Sequence, residues 1–338
     1  MVRYPGVLAF VVVLALTSIA CAGVDQPAGD AAIQGYPAAL QESLKAAEKG
    51  DAASQYEVGV TYANGSGVPQ DYVTALRWFS KAAEQGFVQA QYNLGVMYAN
   101  GNGCSQNLAT ALKWYSKAAE QGFAQAQYNL GVMYADGNGV PQDSAAASKW
   151  YSKAAEQGFA QAQYNLGKMY ADGAGTPQNY QAAFKWYSKA AEQGYVEAQL
   201  NLGLLYATGS GVSQNYATAF RWLSKAAEQG SAKAQYNLGL MYLQGDGVPQ
   251  DYAAAFKWFL KAADQNDAEA QFNLGRLYHD GKGVPQDTVR AHMWFILAAS
   301  GGYADADKLR ARVATVMTPS QIEESQRLAR SWRPKGKN

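Results

Sequence analysis

FVQAQYNLGVMYANGNGCSQNLATALKWYSKAAEQG, residues 87 to 122, holds a signal that can be read in two ways. At its centre Gly101-Asn102-Gly103 opens toward a helix, a place where backbone amides can cradle a phosphate. Glycines also serve where a chain turns a corner, because they reach φ > 0 without steric penalty. Aligning the chain on itself separates the readings. Gly65, Gly101, Gly137, Gly173, Gly209, Gly245 and Gly281 stand 36 residues apart, as do Gly67, Gly103, Gly139, Gly175, Gly211, Gly247 and Gly283. Seven tryptophans, Trp78, Trp114, Trp150, Trp186, Trp222, Trp258 and Trp294, keep the same interval. A phosphate loop is needed once, whereas a corner is needed in every copy. The stretch also lacks the lysine and Ser/Thr of a P-loop, and no strand precedes it.

Each copy reads as two helices. In the first, helix A, Ala90, Leu94, Met97 and Tyr98 fall at i, i+4, i+7 and i+8, an amphipathic stripe. The second, helix B, is announced by Asn107, whose slot holds Asp71, Asp143, Asn179, Asn215, Asp251 and Asp287 elsewhere. A short side-chain oxygen at that place can accept an unpaired amide of the first turn. Ala111, Trp114, Tyr115 and Ala118 form the buried stripe of helix B, and Gly122 ends it in the αL conformation. Copy six substitutes Asn266, the next-best αL residue.

One glycine is out of place in this scheme. Gly95 lies inside helix A, with Gly59, Gly131, Gly167, Gly203, Gly239 and Gly275 as its equivalents, and a mid-helix glycine costs about 1 kcal/mol against alanine. Close approach of a neighbouring helix bearing the tryptophan is the expected compensation.

A helix pair cannot bury its apolar face alone, but seven in series can. The expected fold class is therefore all-α: a right-handed superhelical α-solenoid of seven 36-residue helix-turn-helix repeats with terminal capping helices. The expected organisation is a signal peptide over 1–21, a linker over 22–36 and an N-terminal capping helix over 37–50. Seven repeats over 51–302 follow, then C-terminal capping helices over 303–333 and a basic tail over 334–338. For the last helix, Thr318, Pro319 and Gln321 read as N-cap, first residue and capping-box partner, with Ile322, Ser325, Ala329 and Trp332 on one face.

The bulk numbers narrow the function. The chain has 338 residues, 48% of them hydrophobic and 16% charged, which supports a sizeable core. Its formal charge is +1, and Arg3 is the one charged residue among the first 22, so the remainder is neutral. That balance gives no electrostatic case for nucleic acid. Val7 to Ala20 is a 14-residue uncharged run behind Arg3, the pattern of an export signal and too short for a spanning helix. It ends either at small-residue cleavage sites after Ala20 or Ala22, or at SIAC, which resembles a lipobox with Cys21 as the acylated residue. Ser18 departs from the leucine usual there. Cys104, the one other cysteine, fills a slot held by valine in most copies and reads as a small apolar filler.

The motifs AQYNLGVMYANGNG and KWYSKAAEQG at this spacing resemble the Sel-one-like repeat family, relatives of the tetratricopeptide repeats, and the tail MTPSQIEESQRLARSW is similar to the ending of many bacterial members. The resemblance implies an adaptor that holds proteins or peptides, often in the bacterial envelope. Some disulfide-rich members are linked to β-lactam binding or hydrolysis, but the cysteine pair of each such repeat is absent here.

In tetratricopeptide-like arrays the helix A face at positions 89, 92, 96 and 100 lines the inner groove, and the asparagine at 93 faces roughly toward it. The candidate groove is Gln89, Tyr92, Asn93 and Val96; Gln125, Tyr128 and Asn129; Gln161, Tyr164, Asn165 and Lys168; and Glu197, Lys233, Tyr236 and Arg276. The slot at 89 varies most in charge, as a surface that selects a partner would. The tyrosines offer large contact area with a hydrogen-bonding tip, or half-pack against the next repeat. The asparagines recur in every copy but the first, which has Glu57, and would bond either a bound peptide's backbone or the loop backbone of an adjacent repeat.

Chemistry is poorly represented. His279 and His292 are the two histidines, with no metal-ligand spacing, and Ser-x-x-Lys, Ser-Asp-Asn and Lys-Thr-Gly are missing. The expectation is a monomeric, cofactor-free, non-catalytic scaffold that binds protein or peptide and touches a membrane only through a lipid on Cys21. The alternative is a peptidoglycan- or β-lactam-related hydrolase, and a surface virulence adaptor is a third reading.

Overall fold

A computed structural model describes residues 37–334, and among these every regular element is an α-helix. The expected signal peptide and linker, Cys21 and the last four residues lie outside the described range. The chain divides into two compact units, one running to Trp150 and one from Tyr151.

In the first unit α1 (Ala38–Glu48) packs on α2 (Ala52–Asn64), followed by α3 (Tyr72–Glu84), α4 (Val88–Asn100), α5 (Leu108–Glu120) and α6 (Ala124–Asp136), each on its predecessor. Helix α7 (Ser144–Glu156) contains the boundary. The second unit continues with α8 (Ala160–Asp172), α9 (Tyr180–Glu192), α10 (Val196–Thr208), α11 (Tyr216–Glu228), α12 (Ala232–Gln244), α13 (Tyr252–Ala263), α14 (Ala268–Asp280) and α15 (Thr288–Ser300). The two end helices α16 (Ala306–Ala314) and α17 (Pro319–Ser331) both dock on α15. Each unit is thus a stack of helix pairs, the arrangement of an α-solenoid.

Local chemistry sets the helix ends. Asp71 Oδ1 accepts from the amides of Val73 and Thr74 at 2.9 and 3.1 Å, and Asn107, Asn179, Asn215, Asp251 and Asp287 cap their helices in the same way. Asn266, at φ 64°, is the one non-glycine residue with positive φ among the described residues, in the slot that glycine fills elsewhere. Thr318 and Gln321 form the expected capping box, with Pro319 at the first position. Helix α16 begins two residues later and ends two earlier than the 304–316 span suggested by the sequence.

The first pair of glycines makes a tight corner. Helix A ends on Gly101 at φ 76°, Gln106 Nε2 donates to Ala99 O at 2.7 Å, and the Asn107 amide returns to Tyr98 O at 2.8 Å. The last-turn carbonyls are therefore satisfied by the loop's own atoms.

The glycine inside helix A faces a side chain other than the tryptophan expected, a ring in most copies and Leu223 opposite Gly203. A Cβ on Gly239 would stand 2.5 Å from Phe259, and one on Gly59 would stand 2.6 Å from Phe79. The neighbour is thus the residue after the tryptophan. The tryptophans turn away from this contact: Lys117 Nζ lies 4.2 Å from the Trp114 ring centroid, and Lys261 Nζ lies 4.0 Å from that of Trp258. Trp114 is half-buried, while Trp294 is buried beneath the end helices and meets Trp332 edge-on at 4.7 Å.

A buried amide runs through each unit. Gln235 Nε2 donates to Ala227 O at 3.1 Å, and its Oε1 accepts from Gln265 Nε2 at 2.9 Å. Gln55, Gln91, Gln163 and Gln199 repeat the pattern with Gln85, Gln121, Gln193 and Gln229. A Gln235→Met substitution keeps the volume but removes both of these bonds, leaving Gln265 Nε2 only Gly230 O at 2.9 Å, so urea unfolding should show a loss of about 1–2 kcal/mol. An unchanged midpoint would remove the amide from the list of forces that hold the stack.

Candidate partner-binding face

On the helix A face of both units, Tyr56, Tyr92 and Tyr164 are each wedged between two rings. In the first unit Tyr92 meets Tyr115 of its own copy at 5.8 Å and Phe123, the first residue of the next, at 5.2 Å. Tyr56 is held likewise by Phe79 and Phe87. In the second unit Tyr164 lies 5.8 Å from Tyr187 and 5.1 Å from Tyr195, and Tyr236 lies 5.9 Å from Phe259. Tyr92, Tyr128, Tyr164 and Tyr236 are all half-buried, so each ring keeps one exposed edge.

The asparagines find a partner that neither sequence reading named. Asn129 stands within hydrogen-bonding reach of the hydroxyls of Tyr92 and Tyr115 in the preceding copy, and Asn201 within reach of those of Tyr164 and Tyr187. Asn273 meets the Tyr236 hydroxyl. These side chains fasten one repeat to the next through hydroxyls, in place of loop backbone. The sequence carried a signal for this. Copy one has no tyrosine-bearing copy before it, and its slot holds Glu57, which accepts from Ser43 Oγ at 3.4 Å. Asn237, which follows Leu200, and Asn273, which follows Tyr236, each donate to a carbonyl of their own helix, Lys233 O at 2.7 Å and Glu269 O at 2.9 Å.

Burial, the leading cause, raises the pKa of Tyr92 and Tyr164, and it combines with Glu269, Tyr303 and Asp267 to push Tyr236 up to about 12. At neutral pH these phenols are therefore protonated and offer contact area and hydrogen bonds rather than a base.

Outside this fixed row, the variable residues reach solvent. Gln89 and Gln125 are exposed in the first unit; Gln161, Glu197, Lys233, Glu269 and Arg276 are exposed in the second. Val96, Lys168, Asn93 and Asn165 are half-buried. The arrangement can hold an extended ligand by aromatic edges and select it by charge. Cys104 is buried and in no disulfide among the described residues. Among the described residues no three His, Cys, Asp or Glu side chains are grouped to hold a metal, and no helix is long and apolar enough to cross a membrane.

Comparison with known proteins agrees with this architecture. The Sel1 repeat pattern matches residues 52–87, 88–123, 124–159, 160–195, 196–231, 232–267 and 268–303. The crystal structure of c5321, a protective antigen present in uropathogenic Escherichia coli strains and displaying an SLR fold, is similar with a TM-score of 0.77 and 38% identity over 86% of this chain. This chain spans 64% of that protein. A Sel1 repeat protein from Oxalobacter formigenes is also similar, with a TM-score of 0.64 and 38% identity over 81% of this chain and 79% of its own. No curated protein sequence matches the chain. Seven consecutive repeats, each a capped helix pair, place the chain in the Sel1 repeat family.

Proposed function

We propose that the helix A face holds a protein or peptide partner and that the chain acts as a cofactor-free, monomeric scaffold in the bacterial cell envelope, exported and tethered through a lipid on Cys21. The observation that carries the reading is a division of labour on one face. Tyrosines and asparagines are spent on joining repeats, while the slots beside them change from Gln161 to Glu197, Lys233 and Glu269 and stay exposed. Folding constrains the first set and leaves the second free to define a partner. Repeats of this family and of the tetratricopeptide type generally bind proteins, which supports the same reading.

Charge reversal tests it. Lys168→Glu with Lys233→Glu should weaken partner crosslinking from a photo-reactive residue at position 164 in intact cells by tenfold or more, with helical content and melting unchanged. Equal capture by the double variant would remove the face from the binding role. Turnover of a chromogenic β-lactam, abolished by one substitution, would replace the scaffold with the hydrolase, and cell fractionation of a Cys21→Ala variant tests the tether.

A further inference from the structure

Copy seven departs from the others on its helix B. The slot filled by Leu76, Leu112, Ser148, Phe184, Phe220 and Phe256 carries His292, and a slot otherwise held by serine or Leu260 carries Ile296. In copies four to six this phenylalanine packs edge-on against a tyrosine of the next helix A, as Phe184 does on Tyr206 and Phe220 on Tyr242, both at 5.5 Å. Copy seven has no further copy beyond it, and α17 brings Ser325 to the same place. His292 Nδ1 lies 2.7 Å from Ser325 Oγ, which in turn donates to Ile322 O at 2.7 Å. Both contacts are met at once only when the serine proton goes to that carbonyl and Nδ1–H donates to Ser325. The ring is then the neutral Nδ1–H tautomer, with Nε2 as a hydrogen-bond acceptor.

A buried imidazole is an expensive way to dock a helix where phenylalanine serves elsewhere. His292 is 4% exposed, and it lines a cleft of about 440 Å³ between α15, α16 and α17. With Nδ1 held by Ser325, Nε2 is the nitrogen left for the cleft. Ile296, Ile322, Ala311 and Ala314 make apolar walls, and Arg310 and Gln326 complete the lining. Asp307 occupies one nitrogen of Arg310 at 3.0 Å, and a guanidinium has five donors, so others remain for a ligand. Burial first, and the Arg310 charge second, hold the His292 pKa below its usual value, so that Nε2 keeps its lone pair at neutral pH. The volume lies in the range of small-molecule sites.

We propose that this cleft binds a small amphipathic carboxylate: a branched apolar body between Ile296 and Ile322, the carboxylate on Arg310, and an N–H or O–H on the adjacent carbon donating to His292 Nε2. The site is separate from the helix A face, and either can fail without the other.

The test follows the ring-nitrogen signals of the whole chain by NMR, with His279, exposed on α14, as internal reference. N-acetyl-leucine should shift His292 Nε2 saturably and leave His279 unmoved. N-acetyl-leucinamide, which lacks the charge, and 4-methylpentanoate, which lacks the donor, should each bind about tenfold more weakly. Arg310→Gln, an exposed change that leaves the fold intact, should weaken the acid about tenfold and the amide not at all. No shift of His292 up to the solubility limit, or equal binding of acid and amide, overturns the site. Tighter binding of a leucine-terminated peptide than of N-acetyl-leucine overturns the small-molecule assignment in favour of a chain end.

Discussion

Replacing Gly239 with alanine is expected to lower the melting temperature by about 4–8 °C, although alanine is the better helix former. Two effects of opposite sign meet at this position. Intrinsic propensity favours alanine by about 1 kcal/mol. Against it, the added Cβ would lie 2.5 Å from two atoms of the Phe259 ring, a side chain with no exposed surface. Overpacking of this kind costs about 1–3 kcal/mol, and a fully enclosed ring belongs at the upper end because it has nowhere to move. The packing term wins by about 2 kcal/mol. The argument makes a second, sharper demand. On a Phe259→Ala background, itself about 3–5 kcal/mol less stable, the same Gly239→Ala change should be neutral or stabilising, because the opposing ring is gone. A higher melting temperature for Gly239→Ala in the natural background would show that the glycine answers to something other than this contact.

That contact also marks how far the sequence could be read. The 36-residue interval, the Asp/Asn caps and the substitution of Asn266 for glycine were all visible, because each depends on a residue's own backbone preference or on a periodicity within one copy. The identity of the ring against Gly95 was not. Trp114 and Tyr115 are adjacent on helix B, and the rotation of one helix about its axis against another decides which of them reaches the glycine; spacing along a single chain does not fix that angle. The asparagine–tyrosine bond was hidden for a related reason. It joins different copies, so its trace lies in an exception, Glu57, rather than in the consensus. On the helix A face, the exposed charge row was legible as variation between copies. His292 and Ser325 were not, since they stand 33 residues apart on helices with no shared motif.

The corner glycines allow a separation that composition alone cannot make. Gly247→Ala should destabilise by about 3–5 kcal/mol, whereas Gly230→Ala should cost only about 1–2 kcal/mol, the strain of placing a side chain at positive φ. Both glycines have positive φ, 74° and 92°. Their surroundings differ: a Cβ on Gly230 would meet nothing within 4 Å, but one on Gly247 would lie 2.5 Å from the Tyr216 carbonyl carbon and 2.8 Å from the Ala217 nitrogen. Those atoms are backbone at the start of α11, already fixed by the Asn215 cap, and they cannot rotate aside as a side chain would. Relief must come from moving the loop of copy six off the helix of copy five. Amide exchange at Ala217 and Thr218 should therefore quicken in Gly247→Ala and stay unchanged in Gly230→Ala. Equal losses in the two variants would mean that the loop and the helix do not touch as described. The same closeness bears on the phosphate reading: the first turn of α11, where a helix would offer amides to an anion, is already covered by the next copy's glycine and its own cap, so the recurrent glycine pair joins repeats.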